Sequence, residues 1–104
     1  MSSLNPQIAT ATLAAQLRRR RHLDAGLKSC RSALSRGNTL AVQGEFEAAS
    51  REVWLVEDTT VVILTTLGKM NDPQGLARCR KELAQIQRDL NDLKAYLGIP
   101  PGVN

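Results

Sequence analysis

The last third of the chain has the most regular pattern of hydrophobic and polar positions. Apolar residues recur at spacings of three and four, as in a helix that buries one face. The stripe consists of Leu76, Cys79, Leu83, Ile86, Leu90, Leu93 and Leu97. Pro73 suits the first turn of a helix, Asp72 suits its N-cap, and Gly98 suits the residue after its last turn. The pattern therefore predicts a helix over about 73–97.

A second stripe with the same spacing occupies the middle of the chain. It consists of Phe46, Ala49, Val53, Val56, Thr60, Ile63 or Leu64, and Leu67. Residues 59–66 are rich in β-branched side chains, so a strand is the competing local interpretation. We favour a helix over about 39–67 because the spacing continues and no partner strand is evident elsewhere. A break near Gly44 would convert its start into a short hairpin.

The first third of the chain is less regular. One apolar face is formed by Leu23, Leu27, Cys30 and Leu34. It predicts a helix over about 22–36 that Gly37 ends. A separate apolar face lies upstream and does not align with the first, so residues 6–20 either continue the helix or form a looser arm. We expect residues 1–5 to be disordered.

These three segments predict an all-α fold, an antiparallel three-helix bundle. The chain of 104 residues has room for one domain and one core. Short connections marked by glycine and proline favour antiparallel neighbours. We assign residues 22–98 to the bundle, residues 1–21 to a basic N-terminal extension and residues 99–104 to a short tail. Aromatic residues make up only 3% of the chain, so its core must be mainly aliphatic.

Charge is distributed unevenly along the chain. Residues 1–36 carry seven basic side chains against one acidic one, whereas residues 37–72 carry two against six. Residues 73–104 carry five basic side chains against three acidic ones. A basic first segment beside an acidic second one favours packing of the two against each other.

Four consecutive arginines form the most conspicuous local feature of the sequence. They are Arg18, Arg19, Arg20 and Arg21, and His22 follows them. Such a basic patch can contact nucleic acid or an anionic membrane surface. The competing interpretation is a solvated stretch that pairs with the acids of the second helix. Nucleic acid is the weaker functional hypothesis because no aromatic side chains lie nearby in the sequence to stack on bases.

The sequence offers little support for catalysis or for a cofactor. His22 is the only histidine, and the adjacent arginines would repel a metal cation. Cys30 and Cys79 lie within apolar stripes, where a cysteine usually acts as a small hydrophobic residue. No CxxC pair or glycine-rich phosphate loop is present. We therefore predict no enzymatic activity, no metal, no cofactor and no small-molecule substrate.

Cellular location is constrained by the same composition. Two cysteines do not form a disulfide framework, so a reducing intracellular compartment is the default expectation. No apolar stretch is long enough to span a bilayer, and the N-terminus lacks the pattern of a secretory signal. We expect a cytoplasmic protein, while the nucleus or an organelle stays open.

Candidate partner-binding residues come from two places. Leu55 and Val62 lie on the side of the second helix opposite its stripe. Leu83, Leu90 and Leu97 belong to the heptad of the third helix, which can serve the bundle, a dimer or a hetero-oligomer. We therefore expect a protein partner or self-association. The predicted function is a non-catalytic protein–protein interaction module: an adaptor, a chaperone-like protein or a small subunit of a complex. The alternative is a nucleic-acid- or anionic-membrane-associated protein that uses the arginine run.

Two family resemblances accompany this interpretation. The first depends on Gly37, Gly44, Phe46 and Ala49. Their spacing resembles one partial tetratricopeptide repeat, without a second copy at that family's period. Over about 23–97 the layout also resembles the three-helix microtubule-interacting and trafficking domain, through the turn at 44–49 and the helix end at 93–97. That resemblance implies a groove between helices that receives a partner's helical peptide.

Overall fold

Three helices make up the computed structural model, which describes the backbone of residues 6–70 and 73–100 and the side chains of 13–70 and 73–100. The helices are α1 (Pro6–Val42), α2 (Phe46–Leu67) and α3 (Pro73–Leu97). The described ranges contain no strand. The all-α prediction is confirmed, and the strand alternative for 59–66 is wrong. Residues 1–5, 71–72 and 101–104 lie outside the described residues, as do the predictions that concern them, including the Asp72 cap.

The first helix is longer than its sequence pattern predicted. It runs without interruption for 37 residues, so the predicted end at residue 36 is wrong. The predicted boundary between extension and bundle, after residue 21, falls inside this helix. Gly37 does not end α1 because it serves another purpose. A Cβ there would lie 2.9 Å from Leu93 Cδ2 and 3.3 Å from Glu52 Cβ, so the missing side chain permits close helix packing.

Gly26 has the same role nearer the start of α1. A Cβ at this position would lie 2.9 Å from Ile63 Cγ1 and 3.1 Å from Ile63 Cδ1. Glycine disfavours a helix interior by about 1 kcal/mol relative to alanine. In the structure this residue lets α2 approach the backbone of α1 closely.

Glycines with positive φ end both α1 and α3. Gly44 has φ 80° and Gly98 has φ 73°. After α1, the Glu45 N–H donates to the Leu40 carbonyl at 2.9 Å. After α3, the Ile99 N–H donates to the Lys94 carbonyl at 2.8 Å. Both ends are Schellman motifs, which need a left-handed residue and so favour glycine. The chain does turn at Gly44, but residues 39–42 end α1 instead of starting the second helix, so the predicted start at 39 and the additional short hairpin are wrong.

Contacts between the helices establish an up-down-up arrangement. The Arg36 guanidinium donates to both carboxylate oxygens of Glu52, at 3.1 and 3.2 Å, close to the α1–α2 turn. Arg31 pairs with Glu82 at 2.6 Å, and Gly37 lies beside Leu93, so α3 runs parallel to α1. Consecutive helices are therefore antiparallel, as predicted.

The three predicted stripes meet in one aliphatic core. Its buried members are Leu23, Leu27, Cys30, Ala33, Leu34, Ala41, Ala49, Val53, Val56, Ile63, Leu67, Cys79, Leu83, Ile86, Leu90 and Leu93. Ala33 and Ala41 are the members that the sequence pattern missed, since alanine carries a weak apolar signal. Phe46 and Leu64 were assigned to the stripe of α2, yet both are exposed. They lie at the edge of the helix rather than on its inner face.

The N-terminal part of α1 extends beyond the other two helices. Arg19 Nη1 donates to the Lys69 carbonyl at 3.4 Å, which places the end of α2 beside residue 19. The first buried side chain of α1 among those described is Leu23. The molecule is consequently elongated, with extents of 66 × 21 × 18 Å.

Candidate interaction surface

The outward side of α2 carries a row of exposed apolar side chains. Trp54, Leu55, Val61 and Val62 are 60, 43, 63 and 64% exposed. Each pair of adjacent residues repeats after seven positions, or about two helical turns. We call this surface the α2 outer face. Its residues are Arg51, Trp54, Leu55, Asp58, Val61, Val62 and Thr65.

Helix geometry divides the α2 outer face into three parallel lines. At 3.6 residues per turn, Trp54 and Val61 form one edge, and Leu55 and Val62 form the other. The polar residues of the face lie on the line between the two edges. Since the opposite side of α2 is in the core, this helix is apolar on both sides. A helix that is apolar all round is typically enclosed by other helices on every side.

Hydroxyl groups of α2 are largely satisfied by the helix itself. The Thr65 hydroxyl donates to the Val61 carbonyl at 2.9 Å, and the Thr66 hydroxyl donates to the Val62 carbonyl at 3.0 Å. These bonds to the preceding turn remove the need for an outside acceptor. Threonine therefore adds little polarity to the α2 outer face.

One ion pair borders this face. Arg51 Nη2 lies 3.3 Å from Glu47 Oε1, one helical turn away, and both side chains are mostly exposed. An exposed pair of this kind contributes about 0.3–0.5 kcal/mol. Arg51 can therefore exchange Glu47 for another carboxylate at little cost.

The predicted partner-binding residues fall into two groups in the structure. Leu55 and Val62 lie together on the α2 outer face, where a partner can contact them. Leu83 and Leu90 lie in the core and Leu97 packs against it at the end of the bundle. The heptad of α3 is thus occupied by α1 and α2, and a partner cannot contact Leu83 or Leu90 while the bundle is intact.

Trp54 and Val61 are surface residues that the sequence interpretation missed. Trp54 directly precedes Leu55, and Val61 directly precedes Val62. The two pairs therefore lie seven residues apart. That repeat was the available signal. It was obscured because the inner stripe alone accounted for a helical pattern.

The arginine run lies where α1 leaves the bundle. Arg18, Arg20 and Arg21 are exposed, and Arg19 is half-buried against the end of α2. A cavity of about 150 Å³ lies beside the run, between α1 and the start of α3. Two arginines and two acids line it, together with apolar side chains: Arg20, Asp24, Arg78, Glu82, Leu23, Leu27, Met70 and Cys79. The charges that line this cavity therefore balance, whereas Arg18 and Arg21 face solvent.

A groove between α1 and α3 is the feature closest to the one that the family resemblance implies. One stretch of about 430 Å³ is lined by Arg31, Leu34, Ser35, Asn38, Asp89 and Asp92. A more apolar stretch of about 300 Å³ continues it toward Val42 and Tyr96. The groove is shallow and lies away from the α2 outer face.

Reactive side chains are either buried or isolated. Burial raises the pKa of the Cys30 thiol, against smaller lowering effects of a hydrogen bond with Thr60 and the charge of Arg31. Burial also raises the pKa of the Cys79 thiol, and the carboxylates of Glu82 and Asp24 add to that rise. Both thiols are therefore poor nucleophiles at neutral pH.

The described residues contain no cluster of three or more histidine, cysteine, aspartate or glutamate side chains that could hold a metal ion. Within the same ranges, no helix has both the length and the apolar character that crossing a bilayer requires. No protein-family model, curated protein or solved structure significantly matches the chain.

Proposed function

We propose that the protein is a non-catalytic interaction module that binds a helix of a protein chain on the α2 outer face. The observation that carries this proposal is that α2 presents apolar side chains on the side that no other helix of the bundle covers. An amphipathic helix is the element whose repeat of seven matches the repeat of the exposed residues.

Packing energetics support a binding role for this face. Transfer of a large apolar side chain from water to an interface contributes about 1.5–3 kcal/mol. Trp54 adds the residue type that most often dominates interface affinity. The face also belongs to a helix that the core already holds, so binding does not have to order its backbone.

Site-specific photo-crosslinking in the protein's native cells tests this role. A photoreactive amino acid replaces Val61 on the α2 outer face or, as the matched control, Gln87 on the exposed side of α3. We expect discrete crosslinked protein species from position 61 and none from position 87. Absence of a crosslink at position 61, with the variant folded and expressed, would contradict the proposal.

A second candidate function depends on a different observation. The arginine run is exposed at the end where α1 extends past the bundle, with Lys69 and Arg78 at the same end. Clustered positive charge of this kind attracts the phosphates of nucleic acid or of anionic lipids. As a second proposal, we assign this end a role in binding a polyanion.

The matched charge variants R18Q/R21Q and K28Q/R80Q test the second candidate, since each pair removes two exposed positive charges. We expect only R18Q/R21Q to weaken binding to fluorescent oligonucleotides or anionic vesicles, by about tenfold at low salt. The two probes distinguish the source of the phosphate. Equal loss in both variants would show that net charge, rather than the arginine run, governs binding.

A further inference from the structure

We propose that the helix bound on the α2 outer face is α2 of a second copy of this chain, antiparallel across a two-fold axis between Trp54 and Leu55. This inference rests on the proposed interaction role and names the partner. Three features support it: the charged residues of the face, the overlap of the two α2 helices in the register that these charges favour, and the charge distribution of the whole molecule.

The charged residues of the face select the orientation of the two helices. Arg51 and Asp58 lie seven residues apart on the central line between the apolar edges. An antiparallel pair centred between residues 54 and 55 brings each Arg51 opposite the other copy's Asp58, so two ion pairs form at once. A parallel pair would instead place like charges opposite each other, which is destabilising. Polar residues at such positions commonly fix register and orientation.

The same register makes good use of the apolar residues. Trp54 of each copy lies opposite Trp54 of the other on one edge, and Leu55 lies opposite Leu55 on the other edge, at the centre of the interface, where binding energy concentrates. Val62 lies opposite Ala48, a small residue on the same edge of α2 as Leu55. The two helices overlap over residues 46–63, which are 18 of the 22 residues of α2. No apolar pair at the centre is left facing solvent.

Charge distribution along the molecule favours the same arrangement. Residues 13–31, 58–70 and 73–85 form one half of the bundle and carry ten basic side chains against three acidic ones. Residues 32–57 and 86–100 form the other half and carry four against six. Antiparallel pairing sets the basic half of one copy beside the acidic half of its partner. This complementarity offsets the repulsion between two chains of net charge +4.

Two-fold pairing also closes the assembly. The same face is used by both copies, so a dimer leaves no second α2 outer face for a third chain. A dimer is therefore the expected end point rather than a filament.

Engineered cysteines on the purified full chain test the register. Cys30 and Cys79 are buried, so an added surface cysteine is the accessible thiol. In the proposed register, position 55 lies about one residue from its counterpart across the axis, whereas the two positions 62 lie about 22 Å apart along the helix. Under mild oxidation we expect L55C to form a covalent dimer and V62C to stay monomeric on a non-reducing gel.

Charge exchange tests the ion pairs independently of oxidation. Light scattering and sedimentation on the reduced protein give its mass and its dissociation constant. We expect R51D and D58R each to weaken the dimer by tenfold or more, and R51D/D58R to restore it within about threefold. R88D makes the same charge change as R51D on the exposed side of α3 and should not weaken the dimer. Circular dichroism verifies that each variant is folded.

The outcomes separate this inference from the proposed function. Equal crosslinking of L55C and V62C indicates parallel pairing and overturns the inference, as does failure of the double exchange to restore the dimer. A wild-type chain that is monomeric at all concentrations, but whose position 61 crosslinks to a different protein in cells, overturns the inference and retains the interaction role. Absence of crosslinks at position 61 together with a monomeric chain overturns both.

Discussion

Helices α2 and α3 have similar lengths and each contributes five apolar side chains to the core, but their outward sides differ. The outward side of α3 carries glutamine, arginine, aspartate and asparagine, and several of these bond to each other along the helix. Gln85 donates to Asp89 at 3.0 Å, and Gln87 donates to Asn91 at 3.2 Å. The outward side of α2 instead has tryptophan, leucine and valine at exposed positions.

Burial of the inner stripe therefore does not account for all the apolar residues of α2. On α3, the core buries the apolar stripe, and the outer side faces solvent. On α2, the core buries only the apolar residues of the inner side. At outer positions such as those of α2, a soluble monomer normally has charged residues instead of apolar ones.

The largest expected effect comes from truncating a leucine in the core, with a leucine of the α2 outer face as its counterpart. Leu90 is 1% exposed, and L90A should lower the free energy of unfolding by about 2–5 kcal/mol, since it leaves a cavity in the core. L55A should change the stability of the dissociated chain by only about 0.5 kcal/mol. Urea denaturation of dilute protein, at concentrations where the proposed dimer would be dissociated, measures both.

Equal losses in the two variants would contradict the assignment of the inner and outer sides. At high protein concentration L55A should be destabilised further, because it should then also lose the stabilisation that association supplies. L90A should keep the concentration dependence of the parent chain.

A smaller effect is expected at the charged pair that joins α2 to α3. Lys94 is almost wholly buried, and its Nζ lies 3.6 Å from Glu57 Oε1. E57Q should destabilise the fold by about 1 kcal/mol because it leaves the ammonium group without its counter-charge. K94M should be nearly neutral, since an apolar side chain of similar length fills the same space. Thermal denaturation of the two variants measures the asymmetry, and the reverse order would contradict it.

The two close-approach glycines of α1 are expected to differ in their sensitivity. G26A should cost about 1 kcal/mol, since the new methyl group meets Ile63 Cγ1, an atom fixed near the backbone of α2. G37A meets the terminal Cδ2 of Leu93 at 2.9 Å, which can rotate away, and Glu52 Cβ at 3.3 Å, where a shift of a few tenths of an ångström is enough. Because the better helix propensity of alanine offsets part of this adjustment, G37A should cost less than G26A. Chemical denaturation of both variants checks this order. A gain in stability for G26A would show that α1 and α2 are not in close contact there.

The smallest expected effect is the dependence of stability on alkaline pH. Burial raises the pKa of both thiols above the ordinary value of 9.0. Below that value the thiols are neutral in the folded and unfolded chains alike. Above it the unfolded chain ionises first, so the free energy of unfolding should fall as pH rises. C30A/C79A should show a shallower fall between pH 8 and pH 10 in urea titrations, and an unchanged slope would contradict this origin.

The sequence pattern was sufficient for the helices whose ends have chemical signals. Pro73 and Gly98 mark the ends of α3, and the structure places both as predicted. The end of α1 was predicted too early because Gly37 carries the same signal as a terminator. Only the position of Leu93 and Glu52 in space shows that Gly37 permits close packing instead.

The candidate surface was only half predictable for a related reason. Leu55 and Val62 were identified because they lie off the inner stripe. Leu83 and Leu90 were proposed beside them because a heptad looks the same whether its partner belongs to the same chain or to another. Which of the two faces is already occupied depends on how α1 packs, and the local pattern contains no information about that.

The uninterrupted length of α1 has a mechanical consequence. One rod connects the arginine run to the core and continues to the turn at Gly44, without a hinge between them. A force or a ligand acting on the projecting end therefore applies torque to the bundle, with α1 as a lever. Because Gly26 and Gly37 hold the rod in close contact with its neighbours, a small rotation would drive side chains of α1 into α2 and α3. The close packing at Gly26 and Gly37 therefore opposes displacement of the projecting end.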